Sequence, residues 1–309
     1  GGVSLAAGGT VSVVAGVALA PDAGSGLPAS LTAARARPRA FDGGFRLPGA
    51  AIAAATPTAG VDVGALFTKA AVLHDSRVAF AVFPSEGSYA DVGEQALARA
   101  LDRLGLGRGD LGGLVATGLG AASLHGARAA SEISCLARGM ARLCPEAGQV
   151  IDIGAHGTRV IRLAGPGLIK DFSVSGQCAA GSARILEVIA HLLGVEVAEL
   201  GALSLRATRP ADYSAGCAVF AETEAISLLT RGVSREDLLA GLHESLAQKI
   251  AALARGRASA GACAVAGGGA KDVGLLARLE ASLGALLLPP EPMVVAALGG
   301  ALLAADGVA

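Results

Sequence analysis

The chain has 309 residues, of which 52% are hydrophobic and 17% are charged, so it is long enough to bury the cores of two globular domains. Its net charge of -1, with no basic tract beyond residues 34–40, argues against nucleic acid as a partner, and no apolar run is long enough to cross a membrane. Five cysteines without a CxxC pair form neither a disulfide framework nor a closed zinc site, which predicts a reducing, cytoplasmic location.

Composition divides the chain into an extension and two halves. Residues 1–59 are rich in Ala, Gly and Pro and show little periodicity, so we expect them to lie outside the fold. Residues 60–148 are expected to form a first half and residues 149–309 a second half. An apolar last helix, at about residues 293–305, is expected to pack back on the first half.

Two segments in these halves repeat each other. VDVGALFTKAAVLHDSRVAFAVF begins at residue 61 and VIDIGAHGTRVIRLAGPGLIKDFSV at residue 150, and they align at a constant offset of 90 residues. Each is predicted to form a strand, a short glycine turn, a second strand, a tight turn and a third strand. A repeat at this separation indicates two similar half-molecules. The aligned pairs are Asp62 with Asp152, Gly64 with Gly154, Ala65 with Ala155, Thr68 with Thr158, and Lys69 with Arg159.

The glycine turn of each repeat has the chemistry of a phosphate site. An aspartate near the end of the first strand is suited to hold Mg²⁺ through water, and the glycine two residues later lets backbone N–H groups approach a phosphate. Asp-x-Gly alone is often only a turn, but its duplication favours two hairpins that grip a nucleoside triphosphate. The candidate catalytic and cofactor-binding residues of these turns are Asp62, Gly64, Thr68, Lys69, Asp152 and Gly154.

A third glycine-rich element, ACAVAGGGAKDVGLLARLEASLG, is predicted to form a strand, a turn and a helix. Gly267, Gly268 and Gly269 would let the backbone pass against a flat adenosine, whereas a plain strand-to-helix connection rarely needs three glycines. Two phosphate hairpins followed by such a turn resemble the actin, Hsp70 and sugar kinase superfamily. This resemblance implies an α/β fold with duplicated ribonuclease H-like domains and with ATP and Mg²⁺ in the cleft between them.

Two cysteines precede predicted helices in the second half. Cys178 lies before ARILEVIAHLLGV, whose apolar residues recur at helical spacing, and Cys217 begins CAVFAETEAISLLTRG. Most lone cysteines are small buried hydrophobes, yet a helix N-terminus also favours a thiolate. Two thiolates are half of the ligands of a 4Fe-4S cluster, and a second chain across a twofold axis would complete the set. A further helix is predicted after Ser234, its N-cap, with Asp237 three residues on as in a capping box.

Several segments resemble the family of activators and ATPase subunits of 2-hydroxyacyl-CoA dehydratases and benzoyl-CoA reductases. They are SEISCLARG, IDIG, QCAAGSARILEVIAHLLGV, CAVFAETEAISLLTRGVSREDLLAGLHESLA, AGGGAKD and AALGGALLAA, in order over roughly residues 60–305. The resemblance implies ATP-driven transfer of low-potential electrons from a ferredoxin-like donor through a 4Fe-4S cluster shared by two homologous subunits. It makes Cys178 and Cys217 the cluster ligands and assigns the acyl-CoA chemistry to separate reductase or dehydratase subunits.

Within that family, QCAAGS, IDIGAHGTR and RGVS resemble the D-type ATPase subunit of benzoyl-CoA reductase, which pairs with a related A-type subunit. A free-standing dehydratase activator is the alternative. The phosphate turns depart from the family, because Ala65, Leu66 and Phe67 stand where hydroxyl residues are usual and His156 and Gly157 replace a Gln and an acidic residue. His156 either orients the attacking water or only fills the turn, so the departures put ATP hydrolysis in question more than ATP binding.

Two other functions stay open on the sequence. A small-molecule kinase of the same superfamily would use a cleft aspartate as base, but it leaves the cysteine-led helices unexplained. A non-hydrolysing subunit that binds nucleotide to hold a complex together would fit the altered turns. Cys135, Cys144 and Cys263 are expected to pack in the core, and a structural role is expected for His243.

Overall fold

The computed structural model describes residues 40–49, 56–175, 183–213, 218–255 and 261–307. In these ranges the chain forms two mixed sheets with helices between and outside them. None of the described helices is long and apolar enough to span a membrane. The helices are α1 (Tyr89–Asp102), α2 (Glu132–Leu143), α3 (Arg184–Leu193), α4 (Val197–Ser204), α5 (Ala218–Thr230), α6 (Arg235–Arg255), α7 (Val273–Leu283) and α8 (Val295–Ala305).

The first half of the chain forms one sheet. Its strands are β1 (Phe41–Arg46), β2 (Thr58–Val63), β3 (Phe67–His74), β4 (Arg77–Pro84), β5 (Gly113–Thr117) and β6 (Arg128–Ala129). They lie in the order β1-β4-β3-β2-β5-β6. The repeat's three antiparallel strands are β2, β3 and β4, and β5 returns parallel to β2 after helix α1. The carboxyl ends of β2 and β5 therefore meet at one edge of the sheet.

The second half forms the other sheet. Its strands are β7 (Ala147–Ile153), β8 (Thr158–Gly165), β9 (Leu168–Val174), β10 (Ala262–Ala266) and β11 (Leu286–Leu287). Their order is β11-β10-β7-β8-β9, with β7, β8 and β9 antiparallel and β10 parallel to β7. This arrangement confirms the predicted repeat. In each half three antiparallel strands follow one another, and a later strand, β5 or β10, lies parallel to the first of them.

Residues 41–46 are an edge strand, so the expectation that all of residues 1–59 lie outside the fold is wrong for this segment. FDGGFR pairs antiparallel with β4. Gly43 makes room for the ring of Phe80, because a Cβ there would lie 2.5 Å from Cζ of that ring. Phe41 and Phe45 pack on the same ring, with ring centroids 6.3 and 6.2 Å from it. Glycine enrichment here thus marks close aromatic packing and not an unstructured extension.

Helices α2 and α8 lie between the two sheets. Helix α8 follows the second sheet in the chain but packs across β2, where the hydroxyl of Thr58 donates to the carbonyl of Ala301 at 2.8 Å. Glycines permit this close approach: a Cβ on Gly60, Gly139 or Gly299 would overlap the backbone of the neighbouring element. Buried side chains of both sheets and both helices form one continuous core, which joins the two halves.

Helices α3, α5, α6 and α7 cover the second sheet, whereas α1 packs on β3 and β4 of the first sheet. Apolar side chains of α3, α5, α6 and α7 form a core with the buried face of β7 and β10. Ser234 is the N-cap of α6 as predicted, since its hydroxyl accepts the N–H of Asp237 at 3.1 Å. The capping box is not the arrangement found. The carboxylate of Asp237 accepts the N–H groups of Thr208 and Arg209 instead, which ties α6 to the segment after α4.

Candidate functional site

The two repeats place an aspartate and a cation opposite each other on neighbouring strands. Asp62 pairs with Lys69 across β2 and β3, and Asp152 pairs with Arg159 across β7 and β8. The Lys69 Nζ to Asp62 Oδ2 distance is 2.9 Å, and the Arg159 to Asp152 Oδ2 distance is 3.0 Å. Both carboxylates are buried, with residue exposures of 6% and 8%. Each hairpin thus holds its acidic side chain at the strand end beside a fixed positive charge.

The glycine turns are closed in the same way in both repeats. The N–H of Gly64 donates to the carbonyl of Phe67 at 3.2 Å, and the N–H of Gly154 donates to the carbonyl of Gly157 at 3.1 Å. Thr68 is fully buried, and its hydroxyl lies 2.9 Å from that of Ser85, which donates to the carbonyl of Gly64. The Thr68 hydroxyl therefore shapes the turn.

The 267–269 loop, which we call the second glycine loop, closes over the end of β7. Gly267 has φ +85°, and a Cβ there would lie 2.8 Å from Oδ1 of Asp152. A Cβ on Gly269 would overlap the side chain of Ile153. Among the described residues nothing lies within 4 Å of a Cβ built on Gly268, which faces open space. Two of the three glycines are therefore needed to pack on the strand, and Gly268 is the one that remains exposed.

The first half contains a matching loop that the sequence argument missed. This first glycine loop, residues 118–120, follows β5 as the second follows β10. Gly118 has φ +87°, and a Cβ there would lie 2.6 Å from Oδ1 of Asp62. A Cβ on Gly120 would overlap Val63, which aligns with Ile153 in the repeat. The available signal was Gly-x-Gly directly after a buried strand, in the place where the second half has Gly-Gly-Gly.

Glu132 adds a third carboxylate to the cleft. It is the first residue of α2, and Arg159 donates to it at 2.7 Å while also donating to Asp152. Burial raises the pKa of Glu132, and the charges of Asp62 and Asp152 raise it further against the opposing effect of Arg159. Sequence reasoning singled out Cys135 in SEISC but not Glu132, because Glu132 reaches the cleft only through the packing of α2 against β8.

The charges of the cleft influence one another. Burial raises the pKa of Asp152 above its usual value, the negative charge of Asp62 adds to the effect, and Arg159 and Lys69 oppose it. Burial alone would lower the pKa of Arg159, but Asp152 and Glu132 raise it above its ordinary value. Since the carboxylate of Asp152 in the second hairpin responds to the charges of Asp62 and Lys69 in the first, the two repeats face one shared cleft.

The other candidates from the sequence are His156 and the five cysteines. His156 is exposed at the second turn. Cys178 and Cys217, the predicted cluster ligands, lie outside the described residues. Cys135 and Cys144 are buried and Cys263 is partly buried, and burial raises their thiol pKa values to about 12, 11 and 12. These three thiols stay protonated near neutral pH, as expected for packing residues.

The cleft fits a Mg²⁺-nucleotide. Among the described residues, Oδ1 of Asp62 is buried without a hydrogen-bond partner, which leaves an acceptor for a metal-bound water. No group of three or more His, Cys, Asp or Glu side chains in the described ranges could enclose a metal directly. Mg²⁺ commonly keeps several waters and binds through one or two carboxylates and the substrate phosphates, which matches this donor set.

The fold and the site define a member of the actin, Hsp70 and sugar kinase superfamily, as the sequence predicts. The chain belongs to the BadF/BadG/BcrA/BcrD ATPase family, which matches residues 59–304. The family resemblance seen in the sequence is therefore confirmed. A xylulose kinase from Rhodospirillum rubrum, with a TM-score of 0.50 and 16% identity over 81% of this chain and 90% of that one, shares the fold alone.

Two relatives and one solved structure refine the comparison. The activator of lactoyl-CoA dehydratase from Anaerotignum propionicum is 37% identical over 80% of this chain and 96% of the relative. The activator of 2-hydroxyisocaproyl-CoA dehydratase from Clostridium difficile, solved with bound ADPNP, has a TM-score of 0.77 and 32% identity over 81% of this chain and 95% of that one. The D-type subunit of the benzoyl-CoA reductase from Thauera aromatica is 37% identical over 62% of this chain and 68% of the relative. The comparisons thus favour the activator alternative over the D-type prediction.

Proposed function

We propose that this chain is an ATP-hydrolysing activator that drives low-potential electrons into a 2-hydroxyacyl-CoA dehydratase, with an acyl-CoA reductase as the alternative acceptor. The observation that carries the ATP part is the duplicated cleft, in which a buried aspartate lies beneath a hairpin turn and a glycine loop in each half. The electron-transfer part is supported by the similarity to dehydratase activators over most of the length of both chains.

The residues of the cleft have distinct roles in this proposal. Asp62 and Asp152 would hold the water ligands of Mg²⁺, and Lys69 would turn from Asp62 toward a phosphate. Bound Mg²⁺ would neutralise the charge that develops on the phosphates during hydrolysis. The second glycine loop would present the flat surface at Gly268 to the adenosine. The two ion pairs would therefore hold the carboxylates in place until the nucleotide arrives.

Glu132 is the side chain best suited to accept a proton from the attacking water. Its pKa is raised by burial, its side chain is still 33% exposed, and Arg159 holds it beside Asp152. His156 is the second candidate for orienting that water, because it is exposed in the glycine turn between β7 and β8. A Glu132→Gln variant should bind ATP and lose most of its ATP hydrolysis. If His156→Ala loses hydrolysis instead, the role belongs to His156.

Cys178 and Cys217 would bind a 4Fe-4S cluster together with the same two cysteines of a second, homologous subunit. Such a cluster accepts and passes on one electron at a time. Helices α3 and α5 follow the two cysteines in the chain, so a shift of these helices with the nucleotide state would move the thiolates. A ferredoxin-like donor would supply the electron, and the acyl-CoA substrate would bind to the partner enzyme.

Anaerobic purification tests the electron-transfer part. We expect a brown protein with about two irons per chain, since two chains share four, and an electron paramagnetic resonance signal on reduction. Cys178→Ser and Cys217→Ser should each abolish the signal, and Cys144→Ser, which changes a buried packing thiol, should retain it. A colourless wild-type protein, or one that phosphorylates sugars, would overturn this part of the proposal.

ATP turnover tests the remaining part independently of the iron content. Hydrolysis that requires Mg²⁺ and falls in Asp62→Asn and Asp152→Asn supports an active ATPase. Tight binding of ATP without turnover in the wild-type protein would instead identify the non-hydrolysing subunit that the altered turns suggest. This measurement distinguishes an active ATPase from a subunit that only binds ATP, and it does not depend on which enzyme accepts the electron.

A further inference from the structure

We infer that His243 is a positioning residue, which holds the second glycine loop in the place where it meets the adenosine of the nucleotide. The inference rests on the proposed binding of ATP at this loop. His243 lies in the middle of α6 and is completely buried, so it cannot touch a ligand itself. Its effect has to pass through the residue that it contacts.

That residue is Asp272, which lies three residues after the second glycine loop and is the N-cap of α7. Nε2 of His243 lies 3.1 Å from Oδ2 of Asp272. The other oxygen, Oδ1, accepts the N–H groups of Gly274 and Leu275, each at 2.9 Å, and so caps α7. The backbone N–H of Asp272 donates to the carbonyl of Gly269 in the loop. Asp272 therefore joins three elements: its carboxylate contacts the centre of α6 and the start of α7, and its backbone N–H reaches the loop.

Tight packing prevents the carboxylate and the ring from moving separately. A Cβ on Gly201 of α4 would lie 2.7 Å from Oδ1 of Asp272. A Cβ on Gly274 would lie 2.8 Å from Nδ1 of His243 and would overlap the hydroxyl of Ser204. Among the described residues Nδ1 of His243 has no hydrogen-bond partner, so its contact with Asp272 and packing fix the ring. A shift of α6 is thereby passed to the loop.

The opposite side of the loop is held more loosely. Nζ of Lys271 lies 2.8 Å from Glu291, but the lysine side chain is 45% exposed. The N–H of Gly267 donates to the carbonyl of Pro292 at 2.9 Å. A partly exposed ion pair, here with side chains 45% and 12% exposed, constrains geometry less than a buried contact, and the side chains of His243 and Asp272 are 0% and 5% exposed. The buried pair is thus the contact that decides where the loop lies relative to α6.

The test compares two ligands that use different parts of the cleft. Mg²⁺-ADPNP requires the loop and the phosphate turns, and Mg²⁺-tripolyphosphate requires only the phosphate turns. Both are titrated calorimetrically into the full chain and into His243→Leu, which removes the N–H donor, and His243→Gln, which keeps one. A merely structural role would change the affinity for both ligands together, and a positioning role changes only that for ADPNP.

For His243→Leu we expect the dissociation constant of ADPNP to rise by about tenfold, as for loss of a hydrogen bond to a charged group, and that of tripolyphosphate to change by less than about twofold. His243→Gln should recover most of the ADPNP affinity. An equal loss for both ligands, or no loss for either, would overturn the inference. If wild-type protein binds no ADPNP, the proposed ATP function fails; if it binds and His243→Leu matches it, only this inference fails.

A second variant covers the case in which His243→Leu does not fold. Asp272→Asn keeps the acceptor that caps α7 and turns an N–H group toward Nε2 of His243, so the ring must change its tautomer to accept it. We expect the same selective loss of ADPNP affinity, smaller in size than for the leucine variant. An unchanged ADPNP affinity in a folded Asp272→Asn protein would contradict the positioning role.

Discussion

Gly118 and Gly267 stand in the same relationship to the two buried carboxylates of the cleft. A Cβ on Gly118 would lie 2.6 Å from Oδ1 of Asp62, and a Cβ on Gly267 would lie 2.8 Å from Oδ1 of Asp152. Both glycines have positive φ, +87° and +85°, and each follows the strand parallel to the one that carries the aspartate. The cleft is therefore built twice, and the duplication includes loops that the repeat in the sequence does not cover.

The two glycine loops differ at their middle residue, which is exposed Leu119 in the first and Gly268 in the second. In the described structure a Cβ on Gly268 meets nothing within 4 Å, so Gly268→Leu should fold with a melting temperature within about 2 °C of wild type. Its side chain would occupy the adenosine surface, and we expect at least about tenfold weaker ADPNP binding by calorimetry. Leu119→Gly is the matched control and should bind normally. Unchanged affinity in Gly268→Leu would place the adenosine elsewhere.

Removing one cleft carboxylate should affect catalysis more than folding. Asp62→Asn keeps the size of the side chain but loses the charge beside Lys69, and it weakens the hold on Mg²⁺ water ligands. We expect Mg²⁺-dependent ATP turnover to fall by about 100-fold or more. Asp42→Asn is the control, because Asp42 also pairs with basic side chains, Arg99 and Arg103, but on the surface. Equal turnover in the two variants would contradict a role for Asp62 in hydrolysis.

The raised pKa of Asp152 predicts how Mg²⁺ changes stability with pH. The unfolded chain ionises its aspartates near pH 4, and the folded protein ionises Asp152 at a higher pH because of burial. Without metal, this residue's contribution to the free energy of unfolding therefore falls as pH rises through that window. Mg²⁺-ADPNP binds the ionised form, so its stabilising effect should grow with pH over the same window and then level off.

Thermal melts at a series of pH values, with Mg²⁺-ADPNP or with a chelator, measure this difference. In Asp152→Asn the position does not ionise, so the growth of the Mg²⁺ effect with pH should be smaller than in wild type. A stabilisation by Mg²⁺-ADPNP that is the same at every pH would show that the Asp152 carboxylate is not linked to binding.

The hairpins and their aspartates could be predicted from the sequence because the information is local. Each repeat pairs residues that are close in the chain, such as Asp62 with Lys69 and Asp152 with Arg159, seven positions apart. The alternation of apolar and polar residues then defines each strand, and the turn residues define the register in which the strands pair. The N-cap of α6 at Ser234 was predictable for the same reason.

The other parts of the site depend on contacts between distant segments. The ion pair of Arg159 with Glu132 joins positions 27 residues apart, and the His243–Asp272 contact joins positions 29 residues apart. Neither spacing has a periodicity that links the two residues. The packing of α2 on the second sheet brings the first pair together, and the packing of α6 against α7 brings the second pair together. Strand β1 was not predicted, because a glycine such as Gly43 usually indicates a turn. Only the structure shows that the ring of Phe80 packs against this glycine.

The packing of α8 against α2 should be the most sensitive point of the described structure to added volume. A Cβ on Gly299 would overlap the carbonyl of Cys135, and one on Gly139 would overlap the backbone of α8. Because both contacts are with backbone atoms, the helices must move apart, and Gly299→Ala should destabilise the protein by about 2 kcal/mol or more. Gly109→Ala, at a position where no described atom lies within 4 Å of the new Cβ, should change stability little.

Denaturant unfolding of the two variants measures the free-energy difference, and ATP turnover measured below the transition shows whether the cleft is affected. Helix α8 packs on β2, whose end carries Asp62, and α2 begins with Glu132, so separation of the two helices displaces groups on both sides of the cleft. We therefore expect Gly299→Ala to lose turnover as well as stability. Full turnover in a destabilised Gly299→Ala protein would mean that the cleft geometry does not depend on this helix contact.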